Sequence, residues 1–167
     1  MTGLPDLLER YRRGAELLAM ATTGAAGAVL DFKPGGAPLS VRQIVCHLAD
    51  AETVGAMRMR QIIAEDNPAL IYFDDDAWAV KLGYEKRKVS QALETFRRLR
   101  ADNHELLKDQ PDAVFARSGT HTKDGPMSLF QVVEWFTTHL ESHVGEIQSI
   151  RAAYKEFRAQ QAPSAGQ

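Results

Sequence analysis

The chain has 167 residues, with 22 acidic and 20 basic side chains and a formal net charge of -2. This length suits one domain with its own core, and the dispersed basic residues lack the patch of a nucleic-acid binder, so we expect no nucleic-acid partner. The single cysteine, Cys46, excludes an intrachain disulfide and predicts a reducing compartment, the cytoplasm. We also expect no membrane association, because no signal peptide and no run of ~18 apolar residues is recognisable.

Apolar residues at three- and four-residue spacing predict four long helices. The first covers residues 5–21, and the glycines and prolines of residues 24–39 then predict a loop. The second helix begins at Ser40, which forms a capping-box pattern with Gln43, and it ends near residue 66, before a proline.

Residues 68–86 predict a crossover between the second and third helices. An acidic run that ends at Asp76 would cap one short helix near residues 77–82. A helix of ~20 residues is about 30 Å long, and this segment can return that distance, so the second and third helices are free to run parallel.

The third helix is predicted from residue 88 to 108, and its inward residues include Phe96, Leu99, Asn103, Leu106 and Leu107. Residues 109–126 predict a loop with one extended piece at most. Ser128 opens the fourth helix with a second capping-box pattern, and this helix is predicted to end at residue 157. We therefore expect one domain over residues 1–157 and a flexible C-terminal tail over residues 158–167.

Three histidines interrupt the apolar faces of two predicted helices. His139 and His143 lie one turn apart in the fourth helix, and His47 lies on the inward face of the second. Burying an unpaired polar group costs roughly 1–3 kcal/mol, and one divalent ion bound by several imidazoles would remove that cost. The alternative is that backbone carbonyls or water satisfy the ring nitrogens.

Two sequence strings carry a resemblance to a known family. These are His-Leu-x-x-x-Glu from His47 and His-Leu-x-x-His from His139, each within its helix. In this context the chain resembles the DinB/YfiT-like superfamily of metal-dependent enzymes over nearly its whole length. The resemblance implies an all-α fold, a four-helix bundle with up-down-down-up topology, a metal on His47, His139 and His143, and a homodimer.

Three imidazoles leave a divalent ion with at least one open coordination position. The ligand set suits Zn, Ni, Cu or Fe, of which we expect Zn or Ni. Relatives implied by the resemblance use low-molecular-weight thiols, among them bacillithiol- and mycothiol-dependent transferases. We therefore hypothesise that the ion activates water or a thiol for attack on a small electrophile.

Three acidic residues are candidates for orienting an imidazole or acting as a general base: Glu52, Glu134 and Glu146. The simpler interpretation of each is a solvated surface residue. Glu146 lies nearest the apolar stripe and is our choice as the catalytic carboxylate. His121 is placed in the loop before the fourth helix, where it either lies on the surface, the simpler role, or folds over the mouth of the bundle as a substrate contact. His104 is placed in solvent, outside the metal site.

Other residues have simpler interpretations. Cys46 is expected to be a small buried hydrophobe, and Trp135 to pack against a neighbour or a dimer partner. The aromatic residues of the crossover, Tyr72, Phe73 and Trp78, either wall a substrate pocket or pack in the core, and packing is the simpler role.

Three functions are compatible with these residues. The first is a metal-dependent enzyme, either a hydrolase or a thiol-dependent transferase, that acts on a small-molecule substrate. The second is a stress protein that binds a metal or small ligand without turnover. The third is a structural bundle that holds no metal, and one scaffold is known to host such unrelated roles.

Overall fold

The structure is a computed structural model that describes residues 3–161. Its helices and strands follow in this order: α1 (Leu4–Thr22), α2 (Val41–Ala64), β1 (Ala69–Leu70), α3 (Asp75–Lys81), α4 (Val89–Lys108), α5 (Asp112–Phe115), β2 (Ser118–His121), β3 (Gly125–Ser128) and α6 (Leu129–Gln161). Two 3-10 turns, Gly27–Leu30 and Tyr84–Lys86, precede α2 and α4. No helix among residues 3–161 is long and apolar enough to cross a bilayer.

The four long helices confirm the helical predictions, and both capping boxes are present. The Ser40 backbone N–H donates to the Gln43 side chain at 3.0 Å, and the Gln43 N–H donates back to the Ser40 hydroxyl at 3.4 Å. Ser128 and Gln131 repeat this exchange. α6 continues to Gln161, past the residue where we predicted the tail to begin, and the rest of that tail lies outside the described residues.

The contacts between helices establish the up-down-down-up topology. α1 and α6 run parallel, because residue numbers rise together along their contacts, and the same holds for α2 and α4. α2 runs antiparallel to α6. The contacts are Arg10–Glu141, Ala21–Arg151, Glu52–Arg100, Arg60–Asp102, His47–His139 and Gly55–Phe136.

A small sheet, absent from our prediction, closes one end of the bundle. β2 and β3 form an antiparallel hairpin, and β1 from the crossover pairs parallel with β2. The prediction of a loop over residues 109–126 is therefore wrong for this hairpin. Strands of two to four residues carry no periodic signal, and the pairing joins segments about fifty residues apart.

The inward face of α4 is partly as predicted. Phe96, Asn103 and Leu107 are buried as expected, whereas Leu99 and Leu106 are only half-buried and Arg100 is buried instead. The cause is polar partners on other helices, which make Arg100 a core residue although its type favours the surface.

Candidate metal centre

Two antiparallel helices bring the three predicted histidines together. His47 lies two turns into α2, and His139 and His143 face it from the middle of α6. The His139 Nε2 lies 3.0 Å from the His47 Nε2 and 3.2 Å from the His143 Nε2. One ligand atom of each ring lies within 4.8 Å of the other two.

Burial keeps two of these imidazoles neutral. His47 is 4% exposed, and desolvation, followed by repulsion from His143, lowers its pKa from 6.5 to about 4. The same causes, with the charge of His47 added, lower the pKa of His139 to about 3. Neutral imidazole is the form that binds a metal, so the rings are ready as ligands at neutral pH.

The donor set fits a divalent ion. Two nitrogens that each lie 2.0–2.1 Å from one tetrahedral ion are about 3.3 Å apart, close to the 3.0 and 3.2 Å that separate the His139 Nε2 from its two neighbours, and all three ligand atoms lie within 4.8 Å of one another. A neutral imidazole has one N–H donor and one acceptor nitrogen. If the three rings contacted only one another, their Nε2 atoms could not all be satisfied as donors and acceptors. The convergence of three Nε2 atoms is therefore better explained by a shared cation than by mutual hydrogen bonds.

A cavity of about 750 Å³ lies next to the cluster, and none of the three cluster histidines lines it. Trp135 lines it and stacks its ring on His139, with centroids 4.5 Å apart. Tyr72 and Phe73 supply further aromatic wall, and Arg58 and His121 supply buried polar groups. This volume lies within the usual range of small-molecule sites, about 300–1,000 Å³.

A comparison with known protein families identifies the family of this chain. The family model described as the DinB superfamily matches residues 10–147 of the chain. The chain belongs to the DinB superfamily. This finding confirms the resemblance that the histidine strings indicated.

Relatives of this DinB-superfamily chain have names that agree with a metal site. The protein of Oceanobacillus iheyensis named "Putative metal-dependent hydrolase" is 26% identical over 71% of this chain and 67% of its own length. A protein of Halalkalibacterium halodurans with the same description is 27% identical over 65% of this chain and 63% of its own length. The chain thus spans about two thirds of the length of these relatives.

A solved structure shows the same fold. The structure of YfiT from Bacillus subtilis, titled as a probable metal-dependent hydrolase with an unusual four-helix bundle topology, superposes with a TM-score of 0.84. The match covers 90% of this chain and 87% of that one at 21% sequence identity. This likeness supports the four-helix bundle of the DinB-superfamily chain and adds nothing about its substrate.

Glu146 contacts the histidine cluster from the outside. One of its carboxylate oxygens lies 3.1 Å from the His143 Nδ1, within a single turn of α6, and the side chain is 47% exposed. This contact suits a residue that orients the imidazole and fixes its tautomer. Its role as a catalytic group stays a prediction.

The other two acidic candidates lie elsewhere. Glu52 is buried in the bundle core, where Arg100 and the hydroxyl of Tyr11 bind its two oxygens. Glu134 is exposed on α6 and lines the cavity. Neither has a contact with a histidine of the cluster among the described residues.

Two predictions about the remaining histidines are wrong. His121 is not a surface loop residue but lies on β2, is 5% exposed and lines the cavity, so its alternative role as a substrate contact stays a prediction. His104 is not solvent-exposed but half-buried beside a groove between α1 and α4. Both still lie outside the three-histidine cluster, as expected.

The packing predictions have mixed outcomes. Cys46 is fully buried, as expected, and burial raises the pKa of its thiol. Trp135 packs against neighbours on its own helix, as expected, with ring centroids 4.7 Å from Phe136 and 4.5 Å from His139. Tyr72 and Phe73 line the cavity, whereas Trp78 packs on Phe73 with centroids 4.9 Å apart.

The sequence reasoning missed Arg58 entirely. It lies on α2 eleven residues after His47, and its guanidinium is buried in the cavity wall. Eleven residues make three helical turns, so Arg58 shares the inward face of His47. An arginine on the inward face of a helix was the signal that could have revealed it.

Proposed function

We propose that this protein is a metal-dependent hydrolase of small molecules, in which His47, His139 and His143 together bind one divalent ion. The observation that carries the proposal is the convergence of the three Nε2 atoms, two of them on imidazoles that burial keeps neutral. The names of the relatives support the same class of activity.

Three protein ligands leave at least one coordination position for water or substrate, as in catalytic rather than structural sites. A bound divalent ion would lower the pKa of water toward ~7 and would ionise a thiol. The imidazole ligands suit Zn or Ni, and these are the metals that we propose to test first.

The protein's own residues would organise this site. Glu146 would accept the Nδ1–H of His143 and so hold the ring with Nε2 inward. Trp135 would fix the plane of His139 by stacking and would form part of the substrate cavity. In this proposal Glu146 is a positioning residue, because no contact places it beside the cavity.

The experiment is metal analysis of the purified protein followed by an activity screen. The protein is stripped with a chelator, reloaded with Zn or Ni, and assayed for bound metal by mass spectrometry, with His139→Gln as the matched variant. Small esters and amides are then offered alone, and small electrophiles are offered with a low-molecular-weight thiol.

We expect one ion per chain, absent from His139→Gln, and metal-dependent hydrolysis. If turnover occurred only when the thiol was present, the activity would be thiol transfer at the same metal centre and not hydrolysis. Tight metal binding without turnover in either screen would support the non-enzymatic stress protein. Failure to bind any divalent ion would overturn the proposal and leave a structural bundle. The homodimer stays a prediction, checked by light scattering.

A further inference from the structure

Arg58 is a buried cation that makes no direct ion pair within the described residues, although the more distant charges of Asp124 and Asp75 favour its protonated form. Its side chain is 6% exposed, yet within residues 3–161 no carboxylate lies within 4.0 Å of its guanidinium. Its Nη2 donates to the Ile71 carbonyl at 2.7 Å and faces the His121 Nε2 at 3.0 Å. Its Nε is buried and has no hydrogen-bond partner among the described residues.

The neighbouring arginine of the core shows what is missing. Arg100 is also buried, and its Nε likewise has no hydrogen-bond partner among the described residues, but its Nη2 lies 2.7 Å from the carboxylate of Glu52. The difference at Arg58 is therefore the missing contact with a carboxylate, and a buried charge without such a contact is destabilising. A ligand that pairs with the guanidinium would offset this loss of stability.

His121 supports Arg58 without neutralising it. A guanidinium can only donate, so the His121 Nε2 must accept from Arg58, whereas the His121 Nδ1 lies 2.9 Å from the Asp124 carboxylate and 3.1 Å from the Asp124 backbone nitrogen. Desolvation and the charge of Arg58 lower the pKa of His121, so this ring stays neutral. The positive charge of Arg58 therefore remains available to a ligand.

The guanidinium lies in the wall of the cavity that adjoins the histidine cluster. The aromatic rings of Tyr72, Phe73 and Trp135 line the same space, and Trp135 stacks on His139. Three carboxylates, Asp75, Asp124 and Glu134, also line it. These acids are exposed to solvent, which screens them, but they oppose every anion and most strongly one with several negative charges. Among anions, a single carboxylate group in direct contact with the guanidinium, on a partly apolar body, therefore fits best.

We propose that Arg58 is the recognition residue for a carboxylate of the substrate, held by the unpaired buried guanidinium while the apolar part lies against the aromatic wall. The proposal names a substrate class for the proposed hydrolase and rests on that function for its reaction. Carboxylate binding itself requires only the cavity, so it can be tested without the metal.

The test uses the metal-free full chain and two probes of the same shape, 3-phenylpropanoate and its neutral amide. Binding is followed by tryptophan fluorescence and by the NMR signal of the Arg58 Nε–H, which is assigned by its loss in Arg58→Lys. We expect the carboxylate to bind about 10–100-fold more tightly than the amide, the range of a charged hydrogen bond, and to shift that signal.

Variants separate recognition from a structural role. Arg58→Met should abolish the preference for the carboxylate over the amide, and Arg58→Lys should keep part of it. Arg13→Met removes the same charge from an exposed position of α1 outside the cavity and should keep the full preference. A loss of stability alone would lower the binding of both probes equally.

The outcomes also separate this proposal from the metal centre. His139→Gln should lose the ion but keep carboxylate binding, and Arg58→Met should keep the ion. Equal binding of both probes to the wild-type chain, no binding of either, or an unshifted Arg58 signal with bound carboxylate would each overturn the proposal. The comparison of the two probes on the wild-type chain tests the proposal even if Arg58→Met fails to fold.

Discussion

Arg100 on α4 and Glu52 on α2 form an ion pair in the middle of the bundle, with 2.7 Å between Nη2 and Oε2 and both side chains 1% exposed. The Asn103 amide donates to the second Glu52 oxygen at 3.0 Å, and the Tyr11 hydroxyl of α1 donates to it as well. Arg100 also donates to the Phe136 carbonyl of α6 at 3.3 Å. One polar network therefore joins all four long helices.

We expect Glu52→Gln to lower the free energy of unfolding by about 3–5 kcal/mol, because it leaves the Arg100 charge buried without a counterion. Urea denaturation of the metal-free protein measures this change. The matched control is Glu141→Gln, whose ion pair with Arg10 is more than a third exposed and is worth about 0–1 kcal/mol. Equal losses in both variants would contradict the proposed role of the network.

The same network shows which buried residues can be predicted from sequence periodicity and which cannot. The four helices and the inward positions of His47, His139 and His143 were predictable, because helix-spaced apolar residues and capping boxes are local signals. Arg100 was not predicted in the core, because its burial depends on Glu52, which lies 48 residues earlier in the chain. Pairing between residues so far apart in the chain produces no periodic pattern in the sequence.

The burial of Arg58 and the small sheet were not predicted, because both depend on contacts between distant segments of the chain. β1 and β2 pair across about fifty residues, and this pairing carries His121 into contact with Arg58. Without the sheet, His121 belongs to a polar loop segment and Arg58 to an ordinary amphipathic helix. The histidine cluster was predictable from sequence, whereas the cavity beside it required the tertiary structure.

Substitutions in the cluster should separate ligands from bystanders. We expect His47→Ala and His143→Ala to lose the stabilisation that added metal gives, which is roughly 2.7 kcal/mol at a hundred times the dissociation constant. Thermal unfolding with and without Zn measures this difference. His104→Ala is the control, since His104 lies beside the groove between α1 and α4, and it should keep the full metal effect. An equal metal effect in all three variants would contradict the ligand assignment.

Glu146 should affect metal affinity through His143. We expect Glu146→Gln to weaken Zn binding by about tenfold, the low end for residues that orient a ligand, because water can replace this half-exposed carboxylate. Competition with a chromophoric chelator measures the affinity. Glu156→Gln, which removes an exposed charge further along α6, should leave it unchanged. A loss of thermal stability without a change in affinity would assign Glu146 a purely structural role.

Gly119 should tolerate no larger side chain. A Cβ atom there would lie 2.8 Å from the Pro68 carbonyl oxygen and 2.9 Å from the Leu70 Cγ, so β1 and β2 would have to move apart. We expect Gly119→Ala to lower the free energy of unfolding by about 1–3 kcal/mol, the usual cost of overpacking. Gly145→Ala, in open space on α6, should instead raise it by about 0.5–1 kcal/mol. Urea denaturation distinguishes the two signs.

The metal-free protein should lose stability as the pH falls below about 6.5. In the folded chain the pKa is about 4 for His47 and about 3 for His139, whereas both imidazoles return to about 6.5 on unfolding. The unfolded state therefore binds more protons in this window, and each histidine lowers the free energy of unfolding by up to about 1.4 kcal/mol per pH unit.

Urea denaturation at several pH values between about 7 and about 5 measures this slope, above the range in which carboxylates titrate. A variant with His47→Gln and His139→Gln together should show a clearly shallower slope. His121, whose pKa is also lowered, stays in that variant and accounts for a residual slope of the same sign. A slope that does not change would mean that the two cluster imidazoles are hydrated in the folded protein, which would remove the desolvation that keeps them neutral.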